Sequence, residues 1–184
     1  MRTHLLLPIL LLAATCLAAC DHGDNDHHVS IGNYISIHTD HIAVHAPGRA
    51  DADINATGDL SIADKSVAVT TAERDLLKHY YATALTLRDH GIATGAAGAA
   101  VAGQAIRSVA SGLASGDTDK IDSEVNASAA RVEAKAALIC NDLAEIQSTQ
   151  QTLASQLEAF RPYALIKDDE ADKCRRGLHD HQRD

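Results

Sequence analysis

The chain has 184 residues and a formal charge of −9, with 25 acidic side chains against 16 basic ones and no cluster of Lys and Arg. It therefore lacks the cationic patch that neutralises phosphates, which argues against a nucleic-acid partner. The length suits one domain. Aromatic residues make up only 3% of it and alanine is abundant, so any helices should pack thinly.

In chain order a targeting signal comes first. Arg2 gives a positive start, residues 5–12 form a short apolar core, and Leu17-Ala18-Ala19-Cys20 closes it. This is the layout of a secretory signal over residues 1–19. Its ending resembles a bacterial lipobox, with Cys20 as the lipid-modified first residue of the mature chain. The alternative is an ordinary cut near Ala19 that leaves Cys20 a free thiol. Three acyl chains, at about 0.8 kcal/mol per buried methylene, would hold the protein stably on a membrane, where one chain binds only reversibly. No other run looks like a span: residues 91–106 lack charge but are mostly Ala and Gly, and a span needs about 20 strongly apolar residues. An acidic body is repelled by anionic headgroups, so the lipid must do the holding. Asp21 resembles the retention signal of inner-membrane lipoproteins and tilts the location that way, with the outer membrane left open. Residues 20–28 are polar and short and read as a tether.

Residues 29–69 read as strands. Val29, Ile31, Ile35 and Ile37 share one parity; Ile42, Val44 and Ala46 share the other. A two-residue turn at Thr39-Asp40 pairs Ile37 with Ile42 and Ile35 with Val44 on one face. The other face then pairs His38 with His41, Ser36 with Ala43 and Tyr34 with His45. Every apolar side chain falls on one side, as a correct register requires. Thr-Asp is a weak turn, so a longer loop stays open. Beyond Pro47-Gly48 come Ala52-Ile54-Ala56, Leu60-Ile62 and Val67-Val69, separated by residues 57–59 and 63–66. The spacing predicts a β-meander with one buried face.

Residues 71–160 read as helices. Thr70 and Glu73 fit a capping box, and Leu77, Tyr80, Ala84 and Leu87 follow at helical spacing. His90-Gly91 is a stop signal, yet Ile92, Gly95, Ala99, Ala102, Ile106, Val109 and Leu113 continue the stripe. The segment is thus one kinked arm or two helices of a three-helix bundle. Ser115-Gly116-Asp117 breaks it, with Asp117 as the next cap. In residues 118–160, Val125, Val132, Ile139, Ile146, Leu153 and Phe160 recur every seven, with Ala129, Ala136, Leu143, Gln150 and Leu157 between them. This arm should stop at Arg161-Pro162. Each arm spans about 65 Å. Folding about Gly116 sets Val109 near Val125, Gly95 near Ile139, Ala84 near Gln150 and Leu77 near Leu157, small residues opposite large ones. The ladder Gly91, Gly95, Ala99, Gly103 then serves as a close interface for the second arm; in lipid the same ladder would favour oligomers.

The expected fold class is α+β: a small N-terminal antiparallel β-meander followed by a long antiparallel helical hairpin, or a three-helix bundle. One domain covers residues 29–166, and residues 167–184 form a polar tail.

After signal removal Cys16 is gone and Cys20 is lipidated, leaving Cys140 and Cys174 to pair in an oxidising envelope or to stay as two thiols. The 14 residues from Phe160 to Cys174 reach about 46 Å. That exceeds the about 30 Å of helix between Phe160 and Cys140. His38 and His41 are cross-strand neighbours about 5 Å apart at Cβ. His45 lies further along the same face, and Asp40 sits in the turn. Such a set offers ligands to Zn²⁺, Cu²⁺ or Ni²⁺, with His22, His27 and His28 as further donors. The spacing matches no metal motif, and solvated strand residues are the plainer reading. Neither G-x-S-x-G, H-E-x-x-H nor a phosphate-cradling glycine loop is present, so nothing points to an enzyme or an organic cofactor.

The segments Gly58-Asp59-Leu60-Ser61-Ile62, Val67-Ala68-Val69-Thr70, Leu76-Leu77, Tyr80-Tyr81, residues 91–106 and Phe160-Arg161-Pro162-Tyr163-Ala164 occur in an order that resembles the YggN-like family of Gram-negative envelope proteins, a domain of unknown function. The resemblance implies an envelope location and a strand-then-helix layout, and brings no catalytic residues. The lipobox departs from plainly secreted members, so lipidation rests on Leu17, Ala18, Ala19 and Cys20 alone. The expected role is that of a non-catalytic binding or structural module facing the periplasm. Its partner surface would be the 118–160 helix, through Glu133, Gln147, Gln151 and Glu158. The alternative is a His-rich metal-binding or metal-buffering lipoprotein.

Overall fold

The computed structural model describes residues 29–31, 33–115 and 119–180, with side chains over residues 33–108 and 123–178. The signal, the lipobox with Cys20, the tether, and the Gly116 turn with its Asp117 cap lie outside the described residues.

The strand pattern folds into a sheet because alternation leaves one apolar face to cover. Among the described residues six strands, β1 (Val29–Ile31), β2 (Ile35–Ile37), β3 (His41–Val44), β4 (Ala52–Asn55), β5 (Leu60–Ile62) and β6 (Lys65–Val67), form one antiparallel meander in sequence order. The β2–β3 register is the expected one, Ile35 opposite Val44, Ser36 opposite Ala43 and Ile37 opposite Ile42. Two expectations need correction. The alternation of residues 29–37 is two strands rather than one, with Val29 opposite Ile37 and Ile31 opposite Ile35. The last strand begins at Lys65, two residues before Val67, because Ala63 (φ 51°) and Asp64 (φ 59°) make a two-residue left-handed turn.

Gly58 docks the sheet on the helices. It has φ +74°, and a Cβ there would lie 2.4 Å from the carbonyl oxygen of Arg74. Asp59 alongside accepts from Thr57 Oγ1 at 2.6 Å and from the Arg74 guanidinium. The Thr57 hydroxyl, Arg74 and Asn55 together hold its carboxyl well below the usual carboxylate range.

The capping box forms as read: Thr70 N–H donates to Glu73 Oε2 at 2.7 Å and Glu73 N–H to Thr70 Oγ1 at 3.3 Å. From it α1 (Thr71–Ser115) runs through Gly91 without interruption, so the molecule is a two-armed hairpin and not a three-helix bundle. A mid-helix glycine costs only about 1 kcal/mol. Here the surroundings outweigh it: Thr94 Oγ1 donates to the His90 carbonyl at 2.7 Å, and the His90 ring pairs with Asp142 on α2 (Asp119–Gln156) at 2.5 Å. His79–Glu145, His90–Asp142 and Gln104–Ser128 are met in opposite order along the two helices, which makes the arms antiparallel.

α2 ends at Gln156, short of the expected stop at Arg161-Pro162. Leu157 is extended, and a 3₁₀ turn over Glu158–Tyr163 contains Pro162. With three residues per turn Phe160 and Tyr163 line up on one side, and both are buried. Ile35, Ile42 and Ile54 of the sheet, Leu77 and Tyr80 of α1, and Ile146, Leu153 and Phe160 share one core.

This core lies under the sheet and does not extend along the arms. Ile146 and Leu153 are fully buried, but Val125, Val132 and Ile139 of the same heptad series are only half-buried, and Ile106 is 73% exposed. The glycine ladder is a further correction. A Cβ at Gly91, Gly95, Gly98 or Gly103 would meet nothing within 4 Å, so these glycines face open space and not the second arm. None of the helices is long and apolar enough to cross a membrane among the described residues.

The expected polar tail is a third helix, α3 (Glu170–Asp180), bonded to α2 by the Cys140–Cys174 disulfide, whose Cα atoms are 5.5 Å apart. Upstream, buried Gln150 acts as a backbone mimic. Its amide donates to the Ile166 carbonyl and accepts from Ile166 N–H at 3.3 Å.

Candidate functional site

The alternation that buries the isoleucines turns Ser36, His38, His41, His45 and Asp53 outward together. His38 and His41 stack face to face, with centroids 4.4 Å apart and planes 7° from parallel. His41 Nδ1 pairs with Asp40 at 2.7 Å, and this hydrogen bond is the main reason the Asp40 carboxyl sits below its ordinary range. His41 Nε2 lies 3.7 Å from Asp53. An acidic groove of about 490 Å³ beside this pair is lined by Asp40, His41, Asp53, Asn55, Asp59 and Ser66.

His45 belongs to a different group. Its Nε2 is 2.7 Å from Ser36 Oγ, and its Nδ1 is 2.8 Å from Asp51 Oδ1. Chain geometry explains each placement. Ser36 sits mid-strand between β1 and β3. Asp51 returns to His45 through a turn in which Arg49 N–H donates to the Ala46 carbonyl at 3.1 Å, with Pro47 second and Gly48 (φ +69°) third, the residues a type II turn favours. The Tyr163 hydroxyl then holds this segment by donating to the Ala50 carbonyl at 2.7 Å. Burial is the leading cause that raises the Tyr163 phenol's pKa. A carboxylate only accepts, so Nδ1 carries a proton, and in the neutral imidazole Nε2 accepts from Ser36.

The proposed metal trio is thus divided. Lone pairs of imidazole lie in the ring plane, and parallel stacked rings cannot aim theirs at one ion, while both nitrogens of His45 already have protein partners. Among the described residues no group of three or more His, Cys, Asp and Glu side chains is arranged to hold a metal. His22, His27 and His28 lie outside them. Sequence reasoning missed Ser36 and Asp51 as partners of His45. The signal was present in the sheet face that Ser36 shares with His38, His41 and His45 in the expected register, and in the reversal at Pro47-Gly48.

On the helices, His79 pairs with Glu145 at 2.7 Å across the hairpin. The outward face of α2 is partly taken by the chain's own C-terminus, since Gln151 donates to Asp168 and Arg175 and Leu178 of α3 line a groove with Glu133 and Ala137. No protein family, curated protein or solved structure matches the chain.

Proposed function

We propose that the protein is a lipoprotein of the bacterial envelope, anchored through Cys20, that faces the periplasm and works as a binding or structural module. The observation that carries this reading is the Cys140–Cys174 bridge between α2 and α3. Disulfides persist where the compartment is oxidising, which agrees with the secretory layout of residues 1–19 and the lipobox at Leu17, Ala18, Ala19 and Cys20. The resemblance to YggN-like envelope proteins points the same way, and Asp21 favours the inner membrane. A partner protein would use the part of α2 that α3 leaves open, where Ser148 and Ser155 are exposed. Metal buffering through His38, His41 and His45 has weaker support, because the stacked pair and the engaged His45 do not converge.

Membrane fractionation of cells carrying the full-length chain tests this. Wild-type protein should sediment with membranes and Cys20→Ala should not; equal membrane retention of both would overturn the anchor.

A further inference from the structure

The Ser36–His45–Asp51 group has the connectivity of a nucleophile, a base and an orienting acid, on the ring nitrogens that such a relay requires: Oγ to Nε2 at 2.7 Å and Nδ1 to carboxylate at 2.8 Å. We propose that Ser36 is an acyl-accepting serine activated by His45, with Asp51 as the positioning residue, and that the open sheet face acts on small reactive esters. This goes beyond the envelope reading and does not rest on it.

Three features separate the group from a chance polar contact. Ser36 is held in mid-sheet by strands on both sides. His45 lies just before the Ala46–Arg49 turn and Asp51 just after it, so the turn sets their separation. Tyr163, from beneath the sheet, pins the carbonyl next to Asp51. His45 and Asp51 are 34% and 48% exposed at the side chain, so a small ester can reach them from solvent. Asp40, Asp53 and Asp59 on the same face repel anions, so the fitting substrates are neutral or cationic.

The step balances without a cofactor. Ser36 Oγ attacks the acyl carbon while its proton passes to His45 Nε2. The tetrahedral adduct collapses, the ester C–O bond breaks, and the leaving alkoxide takes the proton from His45. Water then attacks the acyl-serine, with His45 again accepting the proton, and a carboxylic acid and free Ser36 result. Because Tyr34 and His38 pair through ladder hydrogen bonds with His45 and His41, alternation commits the Ser36 N–H to Ala43. The rate gain is therefore that of the base, about 10²–10⁴-fold, without the further factor of about 10²–10³ an oxyanion donor supplies. This restricts the serine to activated esters.

The test is labelling of the full-length protein, purified in detergent, with a fluorophosphonate probe, followed by peptide mass mapping and by p-nitrophenyl acetate turnover. The expected result is label on Ser36, none on Ser36→Ala, labelling slowed about 100-fold in His45→Ala and Asp51→Asn, and partial recovery in Asp51→Glu. Each variant is compared at an unchanged urea midpoint, so that loss of fold is not read as loss of activation. A folded wild-type protein that takes no label overturns the proposal, as does label elsewhere or equal labelling of His45→Ala. The wild-type arm decides by itself even if a variant fails to fold.

Discussion

Tyr80→Phe should make the protein more stable. Tyr80 is wholly buried, and its hydroxyl has no hydrogen-bond partner among the described residues. A buried unsatisfied polar group costs about 1–3 kcal/mol. Phenylalanine removes the hydroxyl and keeps the ring, including its edge-on contact with Phe160 at 5.7 Å. Taking the low end, the gain is about 1 kcal/mol. With a urea slope of about 2 kcal/mol/M the midpoint should rise by about 0.5 M, and the melting temperature by about 2–4 °C. An alkaline series adds a second readout. Burial raises the Tyr80 phenol pKa above its ordinary value of 10.0, so the folded protein holds its proton where the unfolded chain releases it. Stability is full below about pH 10 and falls as the pH climbs above it. The fall should be shallower in Tyr80→Phe, the remainder coming from Tyr163, also raised by burial. A lower urea midpoint for Tyr80→Phe at unchanged slope would refute this reasoning, because it would mean the hydroxyl is satisfied.

Other outcomes follow from the same contacts. Gly58→Ala combines a left-handed φ with a clash against the Arg74 carbonyl and should cost about 3 kcal/mol; an unchanged melting temperature would refute it. Gln150→Ala leaves the buried N–H and C=O of Ile166 unpaired, a loss of about 3 kcal/mol by chemical denaturation, and a neutral result would contradict the backbone-mimic role. Replacing Cys140 and Cys174 by serine opens a 34-residue loop, worth up to about 4 kcal/mol in chain entropy. The 11-residue α3 is then shorter than the roughly 12–15 residues an isolated helix needs. Helical circular dichroism should fall along with the melting temperature, and no change in either would count against the clip.

How much of this was legible depends on parity. Across β2 and β3 the partner numbers sum to an odd value, so the apolar phase flips at Thr39-Asp40 and exposes the turn. Across β1 and β2 the sum is even, Val29 with Ile37 and Ile31 with Ile35, so the alternation keeps its phase from one strand to the next and hides the reversal. Val67 and Val69 share one parity, which let β6 slide by two residues. The capping box was readable because its geometry is local. The ladder of Gly91, Gly95 and Gly103 was not, since alanine and glycine surround that stretch of α1 and no side chain marks its inward face. Likewise the apolar content of residues 167–180 is too low to announce a helix, and the covalent bond at Cys174 holds it instead. His45 was singled out as a metal ligand, but Ser36 and Asp51 claim its nitrogens only once sheet and turn have both formed.

If Cys20 is the lipid-bearing first residue of the mature chain, mass spectrometry of the N-terminal peptide from envelope-purified protein should find a peptide beginning at Cys20. Its mass should exceed the unmodified value by a diacylglyceryl group and an amide-linked acyl chain. A peptide beginning at Met1, or an unmodified Cys20, would contradict it.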